Sequence, residues 1–173
     1  MTMVETYTLK KHSGNDYFSS TSEVVDADGN WGNANQKSTS THWFTSQTWD
    51  FYDDAYNRFG MKDNGKKIKV AVSDGWDRNA YNHESGSDFI IMANVNEYYE
   101  GALDIVGHEF THGVSHYTAG LVNTKEPGAL GESFCDIFGV LVEEYTEGAV
   151  NDWLFGEDHD SSEQRRVGNE CRS

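Results

Sequence analysis

The chain has 173 residues, a formal net charge of −16, one proline and two cysteines. That length suits one compact domain, or one and a half, and falls short of two full lobes. With 36% hydrophobic and 13% aromatic residues a core can form, which excludes disorder throughout.

Thirteen basic against 29 acidic residues exclude a nucleic-acid backbone or an anionic membrane as partner. The acidic excess serves solubility or holds hard cations, and composition does not choose between these. Two cysteines build no disulfide framework. Cys135 sits in an apolar helical stretch as a buried thiol, and Cys171 lies at the chain end. No stretch approaches the ~20 apolar residues of a membrane span. MTMVETYTLKK lacks the order of a signal peptide, so the chain reads as cytosolic or as a processed or recombinant piece of an exported protein.

Residues 1–38 are rich in Ser, Thr, Asn, Asp and Gly, with short strands expected at Thr6–Leu9 and Glu23–Val25. Thr45, Trp49, Tyr52, Tyr56 and Phe59 are spaced as one aromatic helical face for core packing, with N-caps among Ser38 to Ser40 and a stop at Gly60. Ile68–Val72 and Asp88–Ala93 read as strands. Two helices follow, one from about Ala102 to Tyr117 ending near Gly120, the other from near Pro127 to near Gly148. Residues 1–158 form one domain in this reading. Residues 159–173 are charged and aperiodic, a loop or disordered tail whose native origin is open.

His108-Glu109-Phe110-Thr111-His112 carries the chemistry. Helical residues four apart are ~40° apart in azimuth and ~6 Å apart along the axis, so both imidazoles leave one face and can converge on one metal ion. Glu109, ~100° round from His108, stands beside the ion and can take a proton from its water. This is the H-E-x-x-H arrangement of zinc proteases. Three fixed positions recur by chance in ordinary helices. The mid-helix placement, the apolar surroundings (Leu103, Ile105, Val106, Phe110, Val114) and a third ligand favour the metal reading.

Catalytic zinc takes three protein ligands and leaves one position for water. His116 continues the series, but one helix cannot wrap three such residues round a tetrahedral ion. Position 118, where metzincins place their third histidine, is Thr118. Glu132, near the start of the next helix, can return opposite His112. Asp136, one turn beyond, can orient a ligand imidazole. Cys135 is a rival to Glu132 as ligand.

GALDIVGHEFTHGVSHYTAGL followed by GALGESFCDIFGVLVE, with 19 residues between His112 and Glu132, resembles the active-site stretch of the thermolysin-like neutral metalloproteases. The resemblance is dense over about 101–158 and thinner over about 24–93. It implies that His108, His112 and Glu132 bind zinc, that Glu109 is the general base and that Asp136 holds His108. Asn79 and Ala80 resemble the family's edge segment, which holds the peptide substrate as an added strand. Asp104, Glu143, Asp152 and Glu157 match its calcium positions, and as hard oxygen donors they suit that ion. Leu154 stands where some members carry a further acidic residue, so one calcium ion is expected. Asp26 and Asp28 resemble another calcium loop, with an ordinary Asx-turn as the alternative.

The sequence also departs from the family. Asn123 replaces a tyrosine that helps stabilise the transition state, and Gly131 replaces an asparagine that supports the second histidine. The N-terminal β region is short, and the C-terminal helical lobe, with its oxyanion histidine and substrate arginine, is expected to be largely missing. Arg165 or Arg166 matches the arginine position poorly, and neither His159 nor His116 aligns with the histidine.

The expected fold is α+β and zincin-like, a twisted, mostly antiparallel sheet on three principal helices. The expected function is that of a secreted, monomeric zinc endopeptidase acting on peptide or protein substrates, with bulky apolar residues preferred after the scissile bond. The alternative is a zinc- and calcium-binding protease domain with little turnover until a partner or second lobe completes it.

Overall fold

The computed structural model describes residues 3–10, 21–23, 36–74, 80–82, 89–92, 94–95, 98–99, 101–148, 153–156 and 165–166. Alternating polarity sets β1 (Val4–Lys10), where Val4 and Thr6 are buried and Glu5 and Tyr7 are half-exposed. β3 (Ile68–Asp74) turns Ile68, Val70 and Val72 to the core and buries Ala71 as well. It lies between two strands, which pair both of its edges.

With β2 (Thr21–Glu23), β4 (Tyr81–Asn82) and β5 (Phe89–Met92), these strands form a five-stranded sheet in the order β2-β1-β3-β5-β4. The expectation of a mostly antiparallel sheet is corrected here. The two central pairings, β1 with β3 and β3 with β5, are parallel, and only the outer pairings, β1 with β2 and β4 with β5, are antiparallel. The cause is connectivity: the chain leaves β1 and reaches β3 through a helical crossover, which returns it in the same direction. Two short hairpins, β6 (Asn94–Val95) with β7 (Tyr98–Tyr99) and β8 (Leu154–Phe155) with β9 (Arg165–Arg166), stand apart from this sheet. β9 places two paired residues in the stretch read as an irregular tail.

The crossover helix is α1 (Gln36–Tyr56), which starts ahead of the expected caps and takes Ser38 and Ser40 into its first turns. Its buried face is part aromatic (Trp49, Tyr52) and part hydroxylic (Thr41, Thr45, Thr48). Each buried threonine donates its hydroxyl to the carbonyl four residues back, at 2.7 to 2.9 Å, which satisfies a polar group in the core. Tyr56 and Phe59 are exposed, unlike the expectation, because the helix ends at Tyr56 and the chain turns away. Gly60 ends that turn with φ +81°, and a Cβ there would stand 2.5 Å from the Trp49 ring, so both backbone and packing demand glycine.

α2 (Leu103–Thr118) and α3 (Lys125–Glu147) lie close to their expected ranges. Gly120 and Gly148, with φ +59° and +85°, follow their ends. α2 occupies the centre, packed on α3, on α1 and on the β4–β5 edge. Tyr52 of α1 ties the three helices together. Its ring stacks on Phe110 of α2 at 5.3 Å and on Phe138 of α3 at 5.9 Å. Its hydroxyl meets Thr111 Oγ1 at 2.7 Å.

Candidate active site

The site is built where α2 and α3 cross. The helices run antiparallel: His112 faces Glu132, His108 faces Asp136, and Asp104 faces Gly139. Glycine permits this close approach. A Cβ on Gly107 would lie 3.1 Å from the Gly139 Cα, and one on Gly139 would lie 2.5 Å from the Asp104 carbonyl oxygen. Glycine inside a helix costs about 1 kcal/mol relative to alanine, which marks both positions as ones where packing decides.

On this framework the three side chains singled out by spacing converge. His108 Nε2 and His112 Nε2 are 3.0 Å apart, and Glu132 Oε2 lies 3.4 Å from the first and 3.5 Å from the second. Two imidazole nitrogens and one carboxylate oxygen, gathered within 3.5 Å and partly open to solvent, fit a three-ligand zinc site whose fourth position takes water. His108 Nδ1 meets Asp136 Oδ1 at 2.7 Å. That contact leaves Nε2 to face His112 and Glu132. Phe155 of β8 packs against the His108 ring at 5.4 Å.

The electrostatics follow from this crowding of carboxylates. Burial disfavours the charged form of His108, but Asp136, Glu132 and Glu109 outweigh it and its pKa is pushed up to about 10. The neighbouring imidazoles hold Glu132 well below the usual carboxylate range, against the opposing effect of burial. Glu109 is buried, 7% exposed, directly after His108.

A cleft of about 380 Å³, solvent included, opens beside the triad. Its walls include His112 and Glu132, and also His116, Leu121, Val122 and Asn123. A second donor lies on the inner side: Cys135, fully buried, offers its sulfur within 4.8 Å of a nitrogen on each histidine.

The calcium candidates are described only in part. Asp104 is 1% exposed; its Oδ1 accepts the Ile105 N–H at 2.7 Å and its Oδ2 accepts the Gly156 N–H. Glu143 is buried on α3, one turn beyond Gly139, which abuts the Asp104 carbonyl. Asp152, Glu157, Asp26, Asp28, Asn79 and His159 lie outside the described residues. Ala80 is buried and immediately precedes β4, the edge strand beside α2. Tyr52, Thr111 and the Gly107–Gly139 pair were not identified as parts of the site by spacing. The only signal in the sequence for the glycines is their occurrence inside apolar helices.

The family model described as thermolysin metallopeptidase, catalytic domain, matches residues 1–116, and that of the thermolysin metallopeptidase alpha-helical domain matches residues 119–173. The chain belongs to the thermolysin metallopeptidase family. The two matches meet at the last turn of α2, so this family's helical domain, expected to be largely missing, accounts for α3. The triad takes His108 and His112 from one matched segment and Glu132 from the other.

A bacillolysin of Bacillus caldolyticus is 35% identical over 122 residues, which span 68% of this chain and 22% of that protein. A bacillolysin of Brevibacillus brevis is 33% identical over 144 residues, 78% of this chain and 24% of that protein. The precursor of protealysin, a metalloproteinase from Serratia proteamaculans, superimposes with a TM-score of 0.75 at 25% identity, over 90% of this chain and 48% of that one. The chain thus spans less than a quarter of these bacillolysins and about half of the protealysin precursor. Among the described residues no helix is long and apolar enough to cross a membrane.

Proposed function

We propose that this chain carries the catalytic site of a zinc endopeptidase, with His108, His112 and Glu132 as the metal ligands. The observation that carries the proposal is the convergence of His108 Nε2, His112 Nε2 and Glu132 Oε2 within 3.5 Å of one another. A bound zinc ion supplies a Lewis acid and a water acidic enough to lose its proton near neutral pH. Glu109 accepts the proton of the attacking water and delivers it to the departing amine. Asp136 accepts a hydrogen bond from His108 Nδ1, fixes the tautomer and keeps Nε2 directed at His112 and Glu132.

Asn79 and Ala80 bind the peptide substrate as a strand added beside β4. Bulky apolar residues after the scissile bond are the preferred substrates, and export from the cell is the expected setting; both follow from the family. Asp104, Glu143, Asp152 and Glu157 hold one calcium ion. The burial of Asp104 and Glu143 on adjacent helices supports that reading.

The test is zinc content and cleavage of a quenched peptide with Phe or Leu after the cut site, on one calcium-loaded preparation, with 1,10-phenanthroline as the control. One zinc per chain with inhibitable cleavage is the expected result. One zinc without cleavage would replace the proposal with a metal-binding domain that needs completion, and absence of zinc would overturn the ligand set.

A further inference from the structure

Cys135 is fully buried, three residues along α3 from Glu132 and thus nearly one turn away. Glu132 meets the two imidazoles from the open cleft, whereas the thiol approaches them from the core. One nitrogen from each of His108 and His112 and the Cys135 sulfur all stand within 4.8 Å of one another. Tetrahedral coordination, with nitrogen at ~2.0 Å and sulfur at ~2.3 Å, places donors about 3.5 Å apart. The thiol therefore has little more than about an ångström to close, within reach of a cysteine rotamer change.

We propose that His108, His112 and Cys135 form a second, thiolate-containing donor set for soft divalent cations, alternative to the set that uses Glu132. It rests on the same two imidazoles as the zinc reading. On binding, the Cys135 S–H bond breaks, its proton passes to solvent and a metal–sulfur bond forms; no electron is transferred. Hard and borderline ions take the carboxylate, and thiophilic ions such as Cd²⁺ take the thiolate.

The experiment loads the metal-free full chain with Cd²⁺ and, separately, with Co²⁺. With Cd²⁺ a sulfur-to-metal charge-transfer band in the ultraviolet, saturating at one ion per chain, is expected, whereas Co²⁺ reports the carboxylate set through its ligand-field bands. The Cd²⁺ band persists in Glu132→Gln and in Cys171→Ser, which removes the other cysteine, and is lost in Cys135→Ser. A ¹¹³Cd resonance of the unsubstituted protein in the thiolate range gives the same answer without any variant. Cd²⁺ bound at one ion per chain with no charge-transfer band overturns the thiolate set, and Co²⁺ bound with ligand-field bands then leaves the zinc reading standing. Failure to bind Co²⁺ at all overturns both. A band that survives Cys135→Ser overturns the assignment to Cys135.

Discussion

Gly107 and Gly139 lie back to back where α2 and α3 cross, so close that a methyl group on the first would stand 3.1 Å from the Cα of the second. The Glu132–His112 and Asp136–His108 pairings depend on this approach, because both lie on the same antiparallel crossing.

Gly139→Ala sets a Cβ 2.5 Å from the Asp104 carbonyl oxygen, a backbone atom that yields only if the helix moves. Overpacking of this kind costs about 1–3 kcal/mol, and the separated helices lose zinc together with stability. Gly131→Ala is the control, since its nearest contact is a Leu121 methyl at 3.9 Å. Thermal melts and zinc stoichiometry of both variants decide. Equal behaviour would show that the crossing tolerates expansion.

His108 and Asp136 make the metal-free protein sensitive to pH. The folded pKa of His108, about 10, exceeds its ordinary 6.5, so its contribution to stability is complete below about pH 6.5 and is lost as pH rises through 10. Glu132 is shifted down from 4.5, so its contribution is present above that value and is lost as pH falls through the depressed one. The melting temperature of metal-free protein should therefore peak between about pH 4.5 and 6.5 and fall on the alkaline side. Asp136→Asn should move the alkaline decline to lower pH and weaken zinc binding roughly 10–100-fold. A flat profile, or unaltered affinity in the variant, would contradict the role given to this pair.

Much of the site was legible because its logic is local. His108, Glu109 and His112 lie on one helix, and the 3.6-residue period alone puts the two imidazoles on one face. Glu132 and Asp136 were reachable because a short connection forces the next helix to run back antiparallel. The parallel pairing of β1 with β3 was not legible, since it joins residues more than 60 positions apart (Val4 with Ile68). Periodicity also extended the aromatic face to Tyr56 and Phe59, although it carries no information about where the helix stops being covered. The role of Tyr52 as a ring held between Phe110 and Phe138 emerged only from the packing of three helices.

Removal of calcium tests the acidic set. Asp104 and Glu143 are almost fully buried, and carboxylates crowded in a low-dielectric interior repel one another unless a cation or a proton intervenes. An ion present at 1,000 times its dissociation constant stabilises the fold by about 4 kcal/mol. Excess EGTA should lower the melting temperature by several degrees, and Asp104→Asn should abolish most of that difference. Because the Asp104 carboxylate also accepts the Ile105 and Gly156 N–H groups, the variant should be less stable even without calcium. A melting temperature indifferent to EGTA would remove calcium from the account.

Glu109 gives the most direct test of the chemistry. It is buried beside His108 and adds to the negative potential felt by that imidazole, yet it is assigned no place among the metal ligands. Glu109→Gln keeps the shape and one carbonyl oxygen but removes the basic carboxylate. General acid–base catalysis is worth about 10²–10⁴-fold, so peptide cleavage should fall by that factor while one zinc per chain is retained. Peptide affinity should hold, because the variant leaves the edge strand β4 and the cleft walls untouched. His112→Ala, by contrast, should lose zinc and activity together. If Glu109→Gln cut the quenched peptide at the parent rate, the proton would be taken by another group. If it lost zinc, Glu109 would act on the metal centre itself.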